Sequence, residues 1–211
     1  MKEIKITRNP YEKGIKLYSK STIKLKPGIT VLVGCNGSGK STLIDEISTF
    51  LGNNSIPFFK YDNEKRGRSN GLSEAIFHGD VSCAGTLMSS SEGEVILVNM
   101  GKCARDMGNF VRQNRGEKEI WLLLDAIDSG LSIDNVVDVK RYLFDTIIND
   151  NPDADVYIIV SANEYEMCNG ENCFDIYNGK YIQFNNYDEY RQFILDSKNI
   201  KDKRYDDNSK R

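Results

Sequence analysis

No pair among the five cysteines of this 211-residue sequence has the C-x-x-C spacing, and their number is odd. This usage gives no sign of a disulfide framework and fits reduced thiols in a cytosol. The N-terminal sequence MKEIKITRNP lacks the apolar core of a secretion signal. The longest apolar runs, at 120–124 and 156–160, have the length of strands and are too short for membrane spans. We therefore expect a cytoplasmic protein without membrane insertion.

An excess of positive charge is also missing. The formal net charge is -3 and the isoelectric point is about 5.4, so the chain as a whole has no attraction to nucleic acid. The one candidate for a local basic footprint is the loop that contains Lys60, Lys65, Arg66 and Arg68. Charged loops are usually solvated, so nucleic-acid binding is compatible with the sequence but is not supported by it.

The sequence does contain a complete phosphate-binding loop. Residues 29–42 read ITVLVGCNGSGKST, a short apolar strand followed by the pattern G-x-x-x-x-G-K-[ST] and then by a helix. In this pattern successive backbone N–H groups surround phosphates, Lys40 reaches the β and γ oxygens, and the Ser41 hydroxyl binds Mg²⁺. The positive end of the helix points at the same phosphates. We predict ATP and Mg²⁺ as ligands, bound by Gly34, Asn36, Gly37, Ser38, Gly39, Lys40, Ser41 and Thr42.

Hydrophobic periodicity predicts an α/β fold. Residues 3–7 and 21–26 alternate apolar and polar side chains, which predicts an antiparallel hairpin before the loop. The runs at 120–124 and 156–160 are typical of buried strands, and a helix starting near Ser132 connects them. Strand, crossover helix and strand imply a parallel sheet. The expected architecture is the three-layer P-loop NTPase fold, with a mainly parallel central sheet and an antiparallel β flank.

The rest of the chain suggests one domain. Asn178–Gly179 lies between two alternating runs and predicts a two-residue hairpin turn, and residues 187–195 predict a last helix. We expect a single domain over residues 1–197, in which residues 60–92 form a lid region. Residues 198–211 mix both charges with few apolar side chains, which indicates a flexible, solvated tail.

A second chemical element follows the strand at 120–124. This run of large apolar residues ends in Asp125, the arrangement known as a Walker B motif. Because the carboxyl ends of parallel strands meet at one edge of the sheet, Asp125 and Ser41 are the predicted ligands of Mg²⁺. Lys40 and Asp125 are the predicted catalytic residues. The alternative for Asp125 is an exposed carboxylate at a strand end.

Three passages resemble ABC-type ATPases, including the chromosome-maintenance and RecF-like branch. GCNGSGKST at 34–42 is similar to that family's phosphate loop, and LLLDAIDSGLS at 122–132 is similar to its Walker B and D-loop passage. SSSEGE at 89–94 resembles a divergent LSGGQ-type signature motif that opens a helix. The resemblance implies an ABC-type fold in which Ser91, Gly93 and Glu94 of one subunit contact ATP bound to another. The alternative for SSSEGE is a serine-rich helix cap.

The sequence departs from that family at residues that assist hydrolysis. Ala126 stands where the family has a glutamate that polarises the attacking water, and an alanine accepts no proton. Residues 161–163, Ser-Ala-Asn, replace the switch histidine. Asp128 is the remaining candidate for the base, and its alternative role is that of a turn-forming aspartate. These losses predict slow hydrolysis.

Two further family features have only substitutes here. No glutamine occurs between the phosphate loop and Gln113, so Asp62 or Asn63 is the candidate for the metal-side ligand of the Q-loop. The adenine-stacking aromatic could be Tyr11 or Tyr18, although an aromatic side chain in a hairpin more often serves packing.

The leading hypothesis is a slow, Mg²⁺-dependent ATPase that dimerises on ATP and acts as a switch or clamp, for itself or for an unidentified protein partner. The alternatives are a non-hydrolysing ATP-binding adaptor or regulatory protein and a DNA-associated clamp of the RecF or SMC type. A transporter subunit fits less well, since the switch histidine and the Q-loop glutamine are missing and the lid region is small. A small-molecule kinase is a further alternative, which predicts a phosphorylated product and no ATP-dependent dimer.

Overall fold

Two sheets organise the part of the chain that the computed structural model describes, residues 1–10, 15–62 and 92–209. The smaller sheet is an antiparallel pair, β1 (Lys2–Lys5) and β2 (Thr22–Leu25). The larger sheet contains the other described strands, β3 (Gly28–Val33), β4 (Phe58–Asp62), β5 (Glu119–Asp125), β6 (Asp155–Ser161), β7 (Asn172–Asp175) and β8 (Lys180–Ile182). Their spatial order is β4-β5-β6-β3-β7-β8.

The larger sheet is parallel except at one edge. Strand β3 pairs in parallel with β6 and β7, and β5 pairs in parallel with β4 and β6. Only β8, among the described strands of this sheet, runs antiparallel to its neighbour. Parallel strands buried on both faces need apolar side chains at every position, and Ile120 to Leu124 are all at most 1% exposed. The predicted α/β fold with an antiparallel flank is confirmed.

Helices cover both faces of the sheet. The described helices are α1 (Lys40–Asn53), α2 (Glu92–Gln113), α3 (Ile133–Asp138), α4 (Asp145–Asn149), α5 (Tyr165–Cys168) and α6 (Tyr187–Ser209), with a π-helical segment, Val139–Phe144, joining α3 to α4. No helix within the described ranges combines the length and the apolar character that crossing a bilayer requires.

Alternate strand residues supply two cores. Trp121 and Leu123 of β5 face α1 and the β1–β2 hairpin, in a cluster that includes Leu43 and Ile47. Their neighbours in β5 belong to the opposite cluster, which packs under α2, the α3–α4 region and α6. Successive side chains of a strand point to opposite faces. The sheet is therefore the middle of three layers, and the carboxyl ends of its parallel strands lie together at one edge.

The connection between β7 and β8 is longer than the predicted two-residue turn. Asp175 pairs with Lys180, so residues 176–179 form the loop, and the two-residue prediction is wrong. The Asp175 carboxylate accepts hydrogen bonds from the backbone N–H groups of Tyr177 and Asn178, at 3.0 and 3.1 Å. An aspartate that binds backbone N–H groups two and three residues on organises a wider turn. Gly179 closes it at φ 60°.

The last helix also differs from its sequence-based prediction. It does not end at Leu195 but continues to Ser209. Two basic side chains that we expected to be solvated contact the body of the domain. Lys201 Nζ donates to the carbonyl of Asn36, and Arg204 Nη1 donates to the carbonyl of Leu17 at 2.9 Å. The apolar periodicity fades after Leu195 because this part of the helix binds through polar contacts.

Candidate functional site

The loop of residues 34–42 connects the end of β3 to the start of α1. Gly37 and Gly39 have φ values of 72° and 106°, a left-handed conformation that favours glycine. A Cβ on Gly39 would lie 3.0 Å from Leu17 Cδ1 and 3.3 Å from the Tyr18 hydroxyl. The backbone at Gly39 therefore needs both the conformational freedom and the small volume of glycine.

Lys40 lies over this loop with its side chain almost covered. It is 9% exposed, and Nζ donates to the carbonyl oxygen of Gly34 at 2.9 Å. Burial lowers the pKa of Lys40, and the nearby carboxylates of Asp128 and Asp125 act in the opposite direction. An ammonium with little water and one neutral acceptor has a strong electrostatic preference for an anion. This placement fits binding of a phosphate group.

Asp125 ends strand β5 and is tied to the end of β6. Its Oδ1 accepts a short hydrogen bond from the Ser161 hydroxyl, and the same Ser161 Oγ accepts from the backbone N–H of Ala126 at 2.8 Å. Strand β6 lies between β5 and β3. Ser161 therefore fixes the carboxylate of Asp125 relative to the phosphate loop, which begins at the end of β3.

One cavity of about 570 Å³ brings these elements together. That volume lies in the range of small-molecule sites. It is lined by Leu17, Asn36, Gly37, Gly39, Lys40, Ser41, Thr42, Asp125, Ala126, Ser161 and Asn163. Gly34 and Ser38, two of the predicted ligands, are buried and are not among these lining residues. Ser38 is 3% exposed and its hydroxyl has no hydrogen-bond partner within the described residues, which leaves this group available to rearrange around a ligand.

The oxygen ligands in this cavity fit magnesium. The Ser41 hydroxyl and the Asp125 carboxylate are the ligand types that Mg²⁺ prefers, and Mg²⁺ usually keeps several waters and binds phosphate oxygens as well. Within residues 1–10, 15–62 and 92–209, no three His, Cys, Asp or Glu side chains gather into a metal site. A magnesium ion here would therefore depend on the phosphates of the nucleotide for part of its coordination.

Asp128 occupies a different place from the cavity wall. It is fully buried, and its Oδ2 accepts hydrogen bonds from the backbone N–H groups of Asn163 and Glu164 at 2.7 and 2.8 Å. Its Oδ1 has no partner within the described residues. Burial raises the pKa of Asp128 and the two backbone hydrogen bonds oppose that rise. The carboxylate thus joins the loop after β5 to the loop after β6, a geometry suited to positioning both loops.

The proposed signature motif is described only in part. Ser91 lies outside the described residues, whereas Gly93 and Glu94 belong to the first turn of α2, which begins at Glu92. The cavity lining named above includes neither of them. Their predicted contact with a nucleotide in another subunit stays a prediction.

One Q-loop candidate and one adenine-stacking candidate lie within the described residues. Asp62 ends β4 and lies opposite Asp125 in the β4–β5 register. Asn63 and Tyr11 lie outside the described residues. Tyr18 is 1% exposed and its hydroxyl donates to the carbonyl of Gly39 at 2.8 Å. This contact supports the phosphate loop and leaves the ring of Tyr18 no open face for adenine.

The candidate basic footprint is likewise described at one residue. Lys60 forms an ion pair with Asp45 of α1. Lys65, Arg66 and Arg68 lie outside the described residues. An ion-paired lysine on the rim of a sheet is a common surface feature and contributes little on its own.

Helix α6 supplies two site contacts that the sequence analysis missed. The backbone N–H of Cys35 donates to Ser197 Oγ at 3.1 Å, and Lys201 Nζ donates to the carbonyl of Asn36 at 3.1 Å. Their sequence separations are 162 and 165 residues. No local pattern signals contacts of this range, and the polar sequence around Lys201 is typical of a solvated segment.

Comparisons with known proteins identify the family of this chain. A family model described as an AAA domain (AAA_23) matches residues 13–209. The chromosome partition protein Smc of Mycobacterium leprae (strain TN) is 28% identical to this chain over 163 residues, which are 76% of this chain and 9% of that protein. The chain thus spans about a tenth of the length of this curated relative.

Proposed function

The chain belongs to the AAA domain family whose model it matches, as a P-loop ATPase of the SMC-like type, and from this premise we propose that it binds Mg²⁺ and ATP. We propose further that it hydrolyses ATP slowly and that ATP-driven dimerisation is the switch. One observation carries the proposal. Lys40, Ser41 and Asp125 line a single cavity, although they come from the phosphate loop and from a strand two positions away in the sheet.

Binding begins at the loop amides. The N-terminus of α1 and the N–H groups of the loop attract the phosphates through their aligned dipoles. Lys40 exchanges its bond to the neutral Gly34 carbonyl for a bond to a charged phosphate oxygen, which is the stronger acceptor. Mg²⁺, when bound, neutralises charge on the phosphates. Ser41 and Asp125 are the protein oxygens that would hold it, and Ser161 keeps the Asp125 carboxylate oriented.

Hydrolysis is expected to be slow because none of the described residues places a general base at the cavity wall beside Asp125. Ala126 lines the cavity where a carboxylate would be needed, and Asp128 is buried with one oxygen bound to two backbone N–H groups. General-base assistance typically contributes about 10²- to 10⁴-fold. What remains is positioning and charge stabilisation by Lys40, Asp125 and Ser41.

Dimerisation is proposed from the signature-like sequence at the start of α2. Ser91, Gly93 and Glu94 of one subunit would contact the terminal phosphate bound by the other, so that two ATP molecules hold two subunits together. The resemblance of residues 89–94 to the signature motif supports this part of the proposal. The dimer would be the state recognised by a partner.

Ala126 also favours a second candidate, a non-hydrolysing ATP-binding adaptor. In that case the ATP-bound state persists until ATP dissociates, and regulation comes from nucleotide binding alone. Both candidates share the site and differ in phosphate release.

The test measures three quantities on the full chain: the Kd for Mg²⁺ and ATP, single-turnover phosphate release, and molar mass by light scattering with and without ATP. The variants are Lys40→Ala and, as a matched control, Lys198→Ala, whose side chain is exposed on α6. We expect Lys40→Ala to weaken ATP binding at least about tenfold, as the loss of a charge-assisted bond does. Lys198→Ala should behave as the wild type.

The outcomes separate the parts of the proposal. Absence of ATP binding by the wild type would overturn the proposed function as a whole. A monomer in both states contradicts the dimer. If the wild type dimerises on ATP but releases phosphate no faster than Lys40→Ala does, the adaptor hypothesis replaces the ATPase hypothesis.

A further inference from the structure

One face of α6 crosses the loops that build the cavity. The Tyr190 hydroxyl donates to the carbonyl of Asn163 at 2.8 Å, and Ser197 Oγ accepts from the N–H of Cys35. Further along, Lys201 and Arg204 bind the carbonyls of Asn36 and Leu17. The steps of seven, four and three residues between these positions place them on one side of a helix. Helix α6 therefore contacts the loop after β6, the phosphate loop and the segment before β2.

Lys201 is the cation that this helix brings to the exposed part of the phosphate loop. Asn36 and Gly37 are exposed, and a Cβ on Gly37 would lie 3.9 Å from both Cδ and Nζ of Lys201. The Lys201 side chain is 25% exposed. The adjacent residue, Asp202, has a carboxylate oxygen 3.9 Å from Lys201 Nζ. Because the Asp202 side chain is 53% exposed, it neutralises the ammonium only weakly.

Lys40 and Lys201 bind the loop in the same way. Each ammonium donates to a backbone carbonyl of the loop, Lys40 to Gly34 and Lys201 to Asn36, two residues apart. A neutral carbonyl is a weaker acceptor for an ammonium than a phosphate oxygen. Lysine has a flexible stem and three donor hydrogens, so Nζ can move from the carbonyl to a phosphate without moving the helix.

We propose that Lys201 is a nucleotide-contacting residue, which binds the terminal phosphate of a triphosphate in the cavity of its own subunit. The inference rests on the proposed function. The lysine of a phosphate loop reaches the β and γ oxygens. Lys201 is not among the residues that line the cavity, but Asn36 and Gly37, the two loop residues that it approaches, are, so its ammonium lies at the edge of the cavity. The N–H groups of such a loop hold the α and β phosphates, which leaves the terminal phosphate as the one that a second cation at this edge would bind. Lys201 thereby makes the site prefer a triphosphate over a diphosphate.

The test compares Mg²⁺-ATP and Mg²⁺-ADP affinities by titration calorimetry on the full chain. The variants are Lys201→Gln, which removes the charge but keeps an N–H donor for the Asn36 carbonyl, and Lys201→Arg, which keeps the charge. The matched control is Lys203→Gln, because Lys203 is exposed on the same helix. Thermal unfolding without nucleotide checks that α6 stays docked in each variant.

We expect Lys201→Gln to weaken ATP binding at least about tenfold and ADP binding less than about twofold, as the loss of a charge-assisted contact to one phosphate predicts. Lys201→Arg should keep most of the preference for ATP, and Lys203→Gln all of it. Equal weakening of ATP and ADP would mean that Lys201 only supports the loop, and no change in either would mean that it stays on Asn36. Both results overturn the proposal. Equal weakening of ATP and ADP is also the result expected if the substitution displaces α6 from the loop.

Failure of this inference is distinguishable from failure of the proposed function. A wild type that binds neither nucleotide overturns the function. A wild type that binds ATP, with an unchanged ATP to ADP ratio in Lys201→Gln, overturns the role of Lys201 alone.

Discussion

Ala126 holds a left-handed backbone conformation, with φ 50°, directly after Asp125. Such a conformation costs a residue that carries a Cβ about 1–2 kcal/mol. Two features hold it here: its N–H donates to Ser161 Oγ, and its side chain is 6% exposed at the wall of the cavity. The direction in which a side chain leaves this position is therefore set by the backbone, and a longer side chain would extend into the cavity.

This geometry predicts the effect of Ala126→Glu. The new carboxylate would lie beside Asp125, where it can accept a proton from a water that attacks the terminal phosphate. We expect single-turnover phosphate release to rise by about 10²-fold, at the lower end of the range for general-base assistance. Ala126→Gln is the control of equal size, since an amide does not take up the proton. Equal rates in the two variants would show that the missing base is not what limits hydrolysis.

At single residues, the sequence was informative where a motif carries its own chemistry. The proximity of Lys40, Ser41 and Asp125 could be predicted because each follows a strand of one parallel sheet. Their catalytic and metal-binding roles stay predictions. The bond from Ser161 to Asp125 could not be predicted, because a serine at the end of a strand has many possible partners and only the strand order selects one.

Among the elements, α2 contains two glycines that its own geometry does not require. A Cβ on Gly101 or on Gly108 would meet no atom of the described residues within 4 Å. Neither residue has a positive φ. Glycine within a helix costs about 0.5–1 kcal/mol relative to alanine, largely through the entropy of the unfolded chain. These two positions weaken α2, and no described neighbour gives a steric reason for glycine there.

We therefore expect Gly101→Ala and Gly108→Ala each to raise the free energy of unfolding by about 0.5–1 kcal/mol, and to raise Tm by a few degrees. Chemical denaturation measures the first quantity and calorimetry the second. Gly39→Ala is the opposite case, since its left-handed φ and the 3.0 Å approach to Leu17 make any Cβ unfavourable. Stabilisation by Gly39→Ala, or destabilisation by both α2 variants, would contradict this account.

Elements with regular apolar periodicity could be predicted from the sequence, and elements held by polar contacts could not. Strands β5 and β6 and the helix that starts after Ser132 follow directly from their buried positions. The π-helical segment 139–144 leaves the buried stripe of Val139 and Phe144 intact, so the apolar pattern contains no sign of it. The second half of α6 was missed because Lys201 and Arg204 bind backbone carbonyls of distant loops.

For the whole molecule, Asp128 connects stability to pH. Burial raises its pKa in the folded state above the unfolded value of about 3.9. The folded protein therefore binds this proton more tightly than the unfolded chain does. The contribution of Asp128 to stability is fully present below about pH 3.9 and is lost as the pH rises through the folded pKa.

Asp128→Asn carries no titratable group and keeps one oxygen for the N–H groups of Asn163 and Glu164. The free energy of unfolding of the wild type, relative to this variant, should decrease as the pH rises from about 4 through the raised folded pKa of Asp128. Urea denaturation at a series of pH values measures the difference. Asp138→Asn, at an exposed carboxylate of α3, is the matched control for the removal of one negative charge. A wild-type advantage over Asp128→Asn that grows with pH would reverse the sign predicted here.

The contacts between α6 and the phosphate loop also order events during translation. Asn36 and Lys201 are 165 residues apart. A ribosome adds about 5–20 residues per second, so on the order of ten seconds separates the synthesis of the loop from that of its partner. Until α6 has emerged, Cys35 lacks the Ser197 hydroxyl and Asn36 lacks the Lys201 ammonium. A nascent chain that already contains the whole loop motif thus still lacks two of the contacts that hold this loop, and they form only after α6 has been synthesised.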